Sequence, residues 1–148
     1  MQDKFDYAPD VSKILRSALG TRLDPSANTF MDFMADDILF EFPYAPPNGI
    51  ASLRGKANLA NYMEDVVKTV SVESMSLERC IIEDSTNSAV LEFTSRGVNP
   101  QTGYRFEQHY IIVLTFSNGY ITVYRDYWNP LAILAMQKGE AAINKLLE

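Results

Sequence analysis

The stretch from Tyr104 to Trp128 reads YRFEQHYIIVLTF, then SNG, then YITVYRDYW, and it decides the fold. Asn118-Gly119 separates two runs that are rich in β-branched and aromatic residues, which is the strongest short signal for a two-residue hairpin. With that turn, Ser117 pairs with Tyr120, and further pairs follow by counting outward. We therefore predict a long antiparallel hairpin made of these two runs.

The predicted register places the only histidine of the chain beside a carboxylate. Counting from the turn pairs Val113 with Tyr124 and His109 with Trp128. Since side chains alternate along a strand, His109 and Asp126 share one face and become diagonal neighbours among aromatic groups. We interpret them as a candidate catalytic pair. A β-bulge or a slip of one residue would send the two side chains to opposite faces.

The other face of the predicted hairpin is apolar. It carries Tyr110, Ile112, Leu114, Phe116, Ile121 and Val123. We assign this face to the convex side of the sheet. A surface this apolar is not left in water, so we expect it to be covered. The alternative is that this face is the core and that the face with His109 and Asp126 meets solvent.

Length and composition indicate one globular domain over residues 1–148. The chain is long enough to bury a sizeable core, and 47% hydrophobic with 22% charged residues is ordinary for a soluble protein. The net charge of −6 argues against nucleic acid as a partner. One histidine and one cysteine leave too few ligands for a typical metal site, and no cofactor motif is present.

The predicted location is the cytoplasm. Cys80 is the only cysteine, so an internal disulfide is excluded and a reducing compartment is suited. The start, Met1 to Asp6, is polar and acidic, which is unlike a signal peptide. No apolar run approaches membrane-spanning length, so we expect no membrane partner.

Helical periodicity predominates in the first half of the chain. Asp10 as an N-cap and Gly20 as a stop frame a first helix. Asp24-Pro25 predicts the start of a second helix, whose inward residues are Phe30, Phe33 and Met34. A third helix follows Gly55 and carries an apolar stripe from Leu59 to Val70.

The period then changes from 3.6 to 2, which predicts strands. After an early strand, Ile38–Phe42, the later ones are Met75–Ile82, Ala89–Arg96, Tyr104–Phe116 and Tyr120–Tyr127. Leu131–Leu147 predicts a terminal helix with a break at Gly139. This order predicts an α+β fold. We expect a cone-shaped α+β barrel, in which a curved antiparallel sheet wraps three N-terminal helices and encloses a pocket.

Three segments carry a family resemblance, namely Phe33–Tyr44, Leu53–Leu59 and Tyr124–Leu131. In this order and spacing the chain resembles the SnoaL-like branch, near the polyketide cyclases, of the nuclear-transport-factor-2-like or ketosteroid-isomerase-like superfamily. Glu107-Gln-His-Tyr110, upstream of the last segment, also looks like the phenazine-biosynthesis A/B proteins. The resemblance covers nearly the whole chain.

The resemblance implies acid/base chemistry without a cofactor, of the isomerase, cyclase or dehydratase type. It implies that Asp126 occupies the place of the acid/base carboxylate, and that His109 lies near the histidine that partners this carboxylate in SnoaL-type cyclases. Ketosteroid isomerase itself fits poorly, since its base ends the first strand, where this chain has Phe42-Pro43-Tyr44. Family members also dimerise through the convex sheet face, so the resemblance implies a homodimer.

The residues around Asp126 suggest a ligand site. A carboxylate walled by Tyr124, Trp128, Phe42 and Tyr44 is desolvated, so its pKa is expected to rise toward neutrality. Such a pocket suits a small hydrophobic carbonyl or aromatic compound.

Three aromatic residues allow two interpretations each. Tyr44 either hydrogen-bonds a ligand carbonyl at the mouth of the cone or packs on the prolines of the following loop. Tyr62 lies in the stripe of the third helix and is either a core residue or part of the pocket wall. Trp128 either stacks on a planar ligand or anchors the core. Two function classes remain from the sequence, an acid/base enzyme and a non-catalytic binding or adaptor protein of the same fold.

Overall fold

A computed structural model describes residues 5–148 and confirms the α+β class. The polar start of the chain therefore lies partly outside the described residues. The helices and strands are α1 Pro9–Leu19, β1 Met34–Glu41, β2 Ser52–Arg54, α2 Lys56–Thr69, β3 Ser71–Glu83, β4 Ser88–Val98, β5 Arg105–Ser117, β6 Tyr120–Tyr127, α3 Pro130–Lys138 and α4 Glu140–Leu146. Within residues 5–148, no helix combines the length and the apolar character needed to cross a membrane.

The six strands form one curved, unclosed sheet in the order β2-β1-β6-β5-β4-β3. The meander from β3 to β6 is antiparallel, as predicted. The early strand β1 lies parallel to the last strand, β6, and the short β2 covers its other edge. This arrangement places β1 beside β6 within the sheet, so that residues of both strands can line one site.

The second predicted helix, starting at Asp24-Pro25, is wrong. The segment between α1 and β1 contains two short 3₁₀ turns, Gly20–Arg22 and Met31–Phe33. Arg16 of α1 explains the departure, because its guanidinium donates hydrogen bonds to the carbonyl oxygens of Gly20 at 3.0 Å, Asp24 at 2.7 Å and Ala27 at 2.8 Å. A tertiary contact to a charged donor therefore overrides local helix propensity.

The first helix begins two residues earlier than predicted. Ala8 is its N-cap and Pro9 stands in its first turn, so Asp10 lies inside the helix. Proline suits the first turn of a helix, because its missing N–H would have no partner there.

The predicted hairpin forms, but with a β-bulge close to its turn. Asn118 and Gly119 adopt positive φ of 53° and 88°, as a two-residue turn of this type requires. Phe116 pairs with Ile121, whereas Thr115 pairs with Val123, so Thr122 is an extra residue on β6. The Thr122 hydroxyl donates to the Thr115 carbonyl at 3.2 Å, which provides a partner at the irregular point.

The bulge reverses the predicted faces of β6 relative to β5. Asp126 lies opposite Ile112, and Val113 lies opposite Arg125. Because His109 and Ile112 are an odd number of residues apart, His109 points to the other side of the sheet from Asp126. The prediction that His109 and Asp126 share a face is therefore wrong.

The apolar face of the hairpin is the inner face of the sheet, so its assignment to the convex surface is also wrong. Ile112, Leu114 and Ile121 are fully buried, Phe116 is nearly so, and Tyr110 packs against this core. Only Val123 of the predicted set lies on the outer face, opposite Thr115.

The terminal helix has the predicted break at Gly139, whose φ is +84°. The side chain of Asn129 caps α3 by accepting from Leu131 N at 3.0 Å. The buried side chain of Asn99 donates to the Met136 carbonyl at 3.2 Å. These contacts attach α3 to the sheet.

Candidate functional site

A cavity of about 500 Å³ lies between the inner face of the sheet and the helices. The start of α1, the second half of α2, the starts of β3 and β5, the end of β6, and α3 all contribute to its wall. The wall is mostly apolar. Its polar groups are few, as in small-molecule sites of this size.

Asp126 is the one carboxylate that the β-sheet directs into this cavity. No hydrogen bond from the described residues reaches its carboxyl group, and Oδ1 is sealed from solvent without a partner. The residue as a whole is half-buried, because its other atoms border the cavity. Burial raises the pKa of Asp126 to about 7.

Three tyrosines of the cavity wall lie close enough to Asp126 for its charge to affect their pKa values. Burial first, and then the negative charge of Asp126, raises the pKa of Tyr62 to about 12. The same two causes raise the pKa values of Tyr110 and Tyr124 well above that of a free phenol. All three side chains are therefore protonated near neutral pH and available as hydrogen-bond donors.

Aromatic packing fixes these side chains. Tyr124 stacks on Phe40 with ring centroids 4.3 Å apart and an interplanar angle of 12°. Phe42 is buried and contacts the rings of Tyr62 and Trp128, at 5.0 and 6.5 Å between centroids. Phe42 thus supports the wall from behind, whereas Tyr62, Tyr124 and Trp128 line the cavity directly.

Gln108 and Tyr110 are among the polar residues of the cavity that sequence reasoning missed. Both lie on the inner face of β5, which the predicted register, lacking the bulge, placed on the side away from Asp126. Trp128 adds a further polar atom, since its indole Nε1 is buried without a partner among the described residues. Unsatisfied buried polar atoms of this kind are rare and call for an explanation.

His109 and Tyr44 lie outside the cavity. His109 is exposed on the outer face of the sheet, where its Nδ1 contacts the Thr94 hydroxyl at 3.0 Å and its Nε2 is 3.4 Å from Glu107. Tyr44 contacts the ring of Tyr127 on that same side, at 5.4 Å between centroids. Its predicted place at the cavity mouth is wrong, because the turn after β1 carries it over the outer face.

Among residues 5–148, no three His, Cys, Asp or Glu side chains come together as a metal-binding group. The cavity instead offers two carboxyl groups, Asp126 on the sheet and Asp10 on α1, together with several phenols, two amides and an indole N–H in a mostly apolar enclosure. An environment of this kind allows a carboxyl group to take up and release protons near neutral pH.

A family model described as SnoaL-like domain matches residues 20–124. The chain belongs to the SnoaL-like family. The match spans the segment from the end of α1 to Tyr124, and it confirms the resemblance stated for the sequence.

Curated relatives cover nearly the same length. "Uncharacterized protein YesE" of Bacillus subtilis is 31% identical over 133 residues, which are 90% of this chain and 88% of that protein. "Uncharacterized PhzA/B-like protein PA3332" of Pseudomonas aeruginosa is 29% identical over 94% of this SnoaL-like chain and 98% of its own length.

A solved structure supports the same placement. The "Crystal Structure of Putative Isomerase from Bacillus subtilis" matches 91% of this SnoaL-like chain and 97% of its own, with a TM-score of 0.73 and 28% identity.

The pKa of Asp126 predicts how stability depends on pH. A carboxyl group whose pKa is raised on folding stabilises the folded state at low pH and loses that contribution as pH rises through the folded pKa. Between about pH 4 and about pH 7, we expect the wild type to lose up to roughly 4 kcal/mol relative to Asp126→Asn. Denaturant unfolding of both proteins across this range measures the difference.

The matched control is Asp37→Asn, which makes the same change at an exposed position of β1. Its stability difference from the wild type is expected to vary much less over this pH range. If the free energies of unfolding of the wild type and of Asp126→Asn change in parallel with pH, that result would contradict a buried, unpaired Asp126.

Proposed function

We propose that this SnoaL-like protein catalyses proton transfer on a small, largely apolar carbonyl or aromatic compound, with Asp126 as the acid/base group and no cofactor. The observation that carries the proposal is a carboxyl group without a partner in an apolar cavity of about 500 Å³. Its pKa of about 7 matches the value that general acid/base catalysis favours at neutral pH.

The proposed step is the movement of one proton between two atoms of the substrate. The Asp126 carboxylate removes a proton from a carbon next to the carbonyl group, and the electron pair moves onto the carbonyl oxygen. Where a double bond is conjugated with the enolate, protonated Asp126 returns the proton to the far carbon of that dienolate. The C=O bond re-forms, the C=C bond shifts and the carboxylate is regenerated, which gives an isomer. Cyclisation and dehydration can begin from the same enolate.

The tyrosines are the proposed donors to the enolate oxygen. Tyr62, Tyr110 and Tyr124 keep their protons because burial and the charge of Asp126 raise their pKa values. A neutral donor that is already held in place stabilises negative charge as it develops, without first having to reorganise. Trp128 and Tyr62, with Phe42 behind them, are the proposed apolar surface for the substrate rings.

Solvent deuterium exchange tests the proposal. We expect one or more members of a panel of cyclohexenones, tetralones and steroid ketones to take up deuterium next to the carbonyl group, as measured by NMR. Asp126→Asn should lower that rate by roughly 10²- to 10⁴-fold, because the amide cannot accept the proton. The wild-type rate should rise with pH through about 7 as Asp126 ionises.

Asp37→Asn again serves as control and should exchange at the wild-type rate. Exchange by Asp126→Asn at the wild-type rate would contradict the proposal. Binding of the same compounds by both proteins without any exchange would favour the second function class, a non-catalytic ligand-binding protein.

We also propose a homodimer, through an outer patch defined by Ile81, Val90, Ile111, Val113 and Tyr127. Strand pairing places these residues side by side on the face away from the cavity. The Ile81 and Ile111 side chains are large and apolar, yet 55% and 38% exposed. A patch of this kind is a common protein interface.

Charges of both signs surround the outer patch. Arg96 and Glu107 are paired at 2.7 Å, and Arg125 is 3.9 Å from Glu41. A second copy related by a twofold axis presents the same mixed surface, so opposite charges can meet across the interface.

Light scattering coupled to size-exclusion chromatography tests the dimer. We expect a dimer for the wild type and a monomer for Ile111→Lys, because a buried unpaired ammonium opposes association. Ile50→Lys is the control, since Ile50 is 53% exposed in the loop between β1 and β2. A monomeric wild type would contradict the proposal, and so would a dimeric Ile111→Lys.

A further inference from the structure

A second polar side chain faces the cavity at a distance from Asp126. Gln108 lies on the inner face of β5, lines the cavity, and is only 9% exposed. Its Oε1 accepts a hydrogen bond from the backbone N–H of Asn129 at 2.8 Å. Asn129 is the N-cap of α3, so this contact also joins the sheet to the helix that covers the cavity.

The bond to Asn129 fixes which end of the amide meets a ligand. A backbone N–H can only donate, so the Gln108 atom facing it must be the carbonyl oxygen. The NH₂ group therefore occupies the other position. It has no partner among the described residues, and it is not among their sealed, unsatisfied polar atoms, so it opens onto the cavity that Gln108 lines.

Strand register gives the separation between the backbone of Gln108 and that of Asp126. Asp126 lies opposite Ile112, and Gln108 is four residues from Ile112 along β5. At about 3.3 Å per residue, the two levels are roughly 13 Å apart along the strand. Tyr110 and Trp128 line the wall between them. A bicyclic compound, or a larger one, can therefore reach both groups at once.

We propose that the Gln108 amide is a specificity-determining donor that binds an acceptor oxygen of the substrate, a carbonyl above all, at the end remote from Asp126. The position of the reacting carbon rests on the proposed function, whereas the binding role of Gln108 does not. The ligand is neutral at this end, because an amide supplies a dipole and no countercharge. The inference narrows the substrate to an apolar compound with an acceptor oxygen away from its reacting carbon.

The variant Gln108→Glu separates the two roles of the side chain. Glutamate has the same shape and keeps an oxygen to accept from Asn129 N, so the attachment of α3 is preserved. It replaces the NH₂ donor with a second oxygen, which repels a ligand carbonyl. Gln101→Glu is the matched control, because it adds the same charge at an exposed loop position outside the cavity wall.

The probes are 1-tetralone and tetralin, which share a ring system and differ by a single ketone oxygen. That oxygen can reach either Gln108 or the tyrosines beside Asp126, and only the part of the preference that depends on Gln108 is lost in the Gln108 variants. Their dissociation constants are measured by NMR titration at about pH 9, where a buried glutamate is ionised. We expect the preference for 1-tetralone over tetralin to fall by about 5- to 10-fold in Gln108→Glu, the ratio that one hydrogen bond provides. Gln101→Glu should retain the wild-type preference.

The infrared carbonyl band of bound 1-tetralone gives a second reading. It should lie at lower frequency in the wild type than in Gln108→Glu, because a hydrogen bond weakens the C=O bond. If Gln108→Glu does not fold, Gln108→Met, which is neutral and also lacks the donor, is read in the same way. An unchanged preference or an unshifted band in the folded variant overturns the proposal, as does failure of the wild type to bind 1-tetralone.

Asp126→Asn separates this inference from the proposed function. This variant should keep the wild-type preference for 1-tetralone over tetralin, whether or not it still catalyses deuterium exchange. A reduced preference in Gln108→Glu, together with deuterium exchange at the wild-type rate by Asp126→Asn, would overturn the acid/base proposal alone. Abolished exchange in Asp126→Asn with an unchanged preference in Gln108→Glu would overturn the Gln108 proposal alone.

Discussion

The extra residue in the β5–β6 hairpin, Thr122, sets the face that every later residue of β6 presents. Without it, Asp126 would lie on the outer side of the sheet and Arg125 would point into the core. With it, Tyr124, Asp126 and Trp128 border one cavity, while Arg125 and Tyr127 face outward. Because alternation along a strand has a period of two, a single inserted residue is enough to move a whole row of side chains.

Placing these β6 side chains on the inner face costs free energy, which packing elsewhere must offset. A buried carboxylate without a partner is unfavourable, and the sealed Nε1 of Trp128 adds to the cost. Stacked and edge-on contacts among Phe30, Phe40 and Tyr124 hold this part of β6 in place. The cavity thus combines a rigid aromatic wall with polar groups left for a ligand, which is the arrangement expected where function limits stability.

Most of the fold follows from local sequence patterns. The hairpin turn, the apolar stripe of α2, the strands of the meander and the break at Gly139 each have a signal within a few residues. The second predicted helix failed because Arg16 binds four carbonyl groups of the segment, a tertiary contact that no local pattern contains. The strand β2 escaped notice because its three residues carry no period of their own.

The site was predictable only in part. Four of the predicted site residues border the cavity, namely Asp126, Tyr124, Trp128 and Tyr62. Their positions depend on β6 and α2, two elements that have local signals in the sequence. His109 was assigned to the wrong face relative to Asp126 because a bulge leaves no reliable mark in sequence, and a turn of fixed length permits either register. Once the bulge is known, alternation alone places Gln108 on the inner face.

The most direct measurement is the titration of Asp126 itself. Protein labelled with ¹³C at the aspartate carboxyl carbons can be followed by NMR over the pH range, with Asp126→Asn to assign the signal. The account predicts a midpoint of about 7 in the ligand-free protein. A midpoint near the ordinary aspartate value of about 3.9 would show a solvated or paired carboxylate, and it would contradict the account.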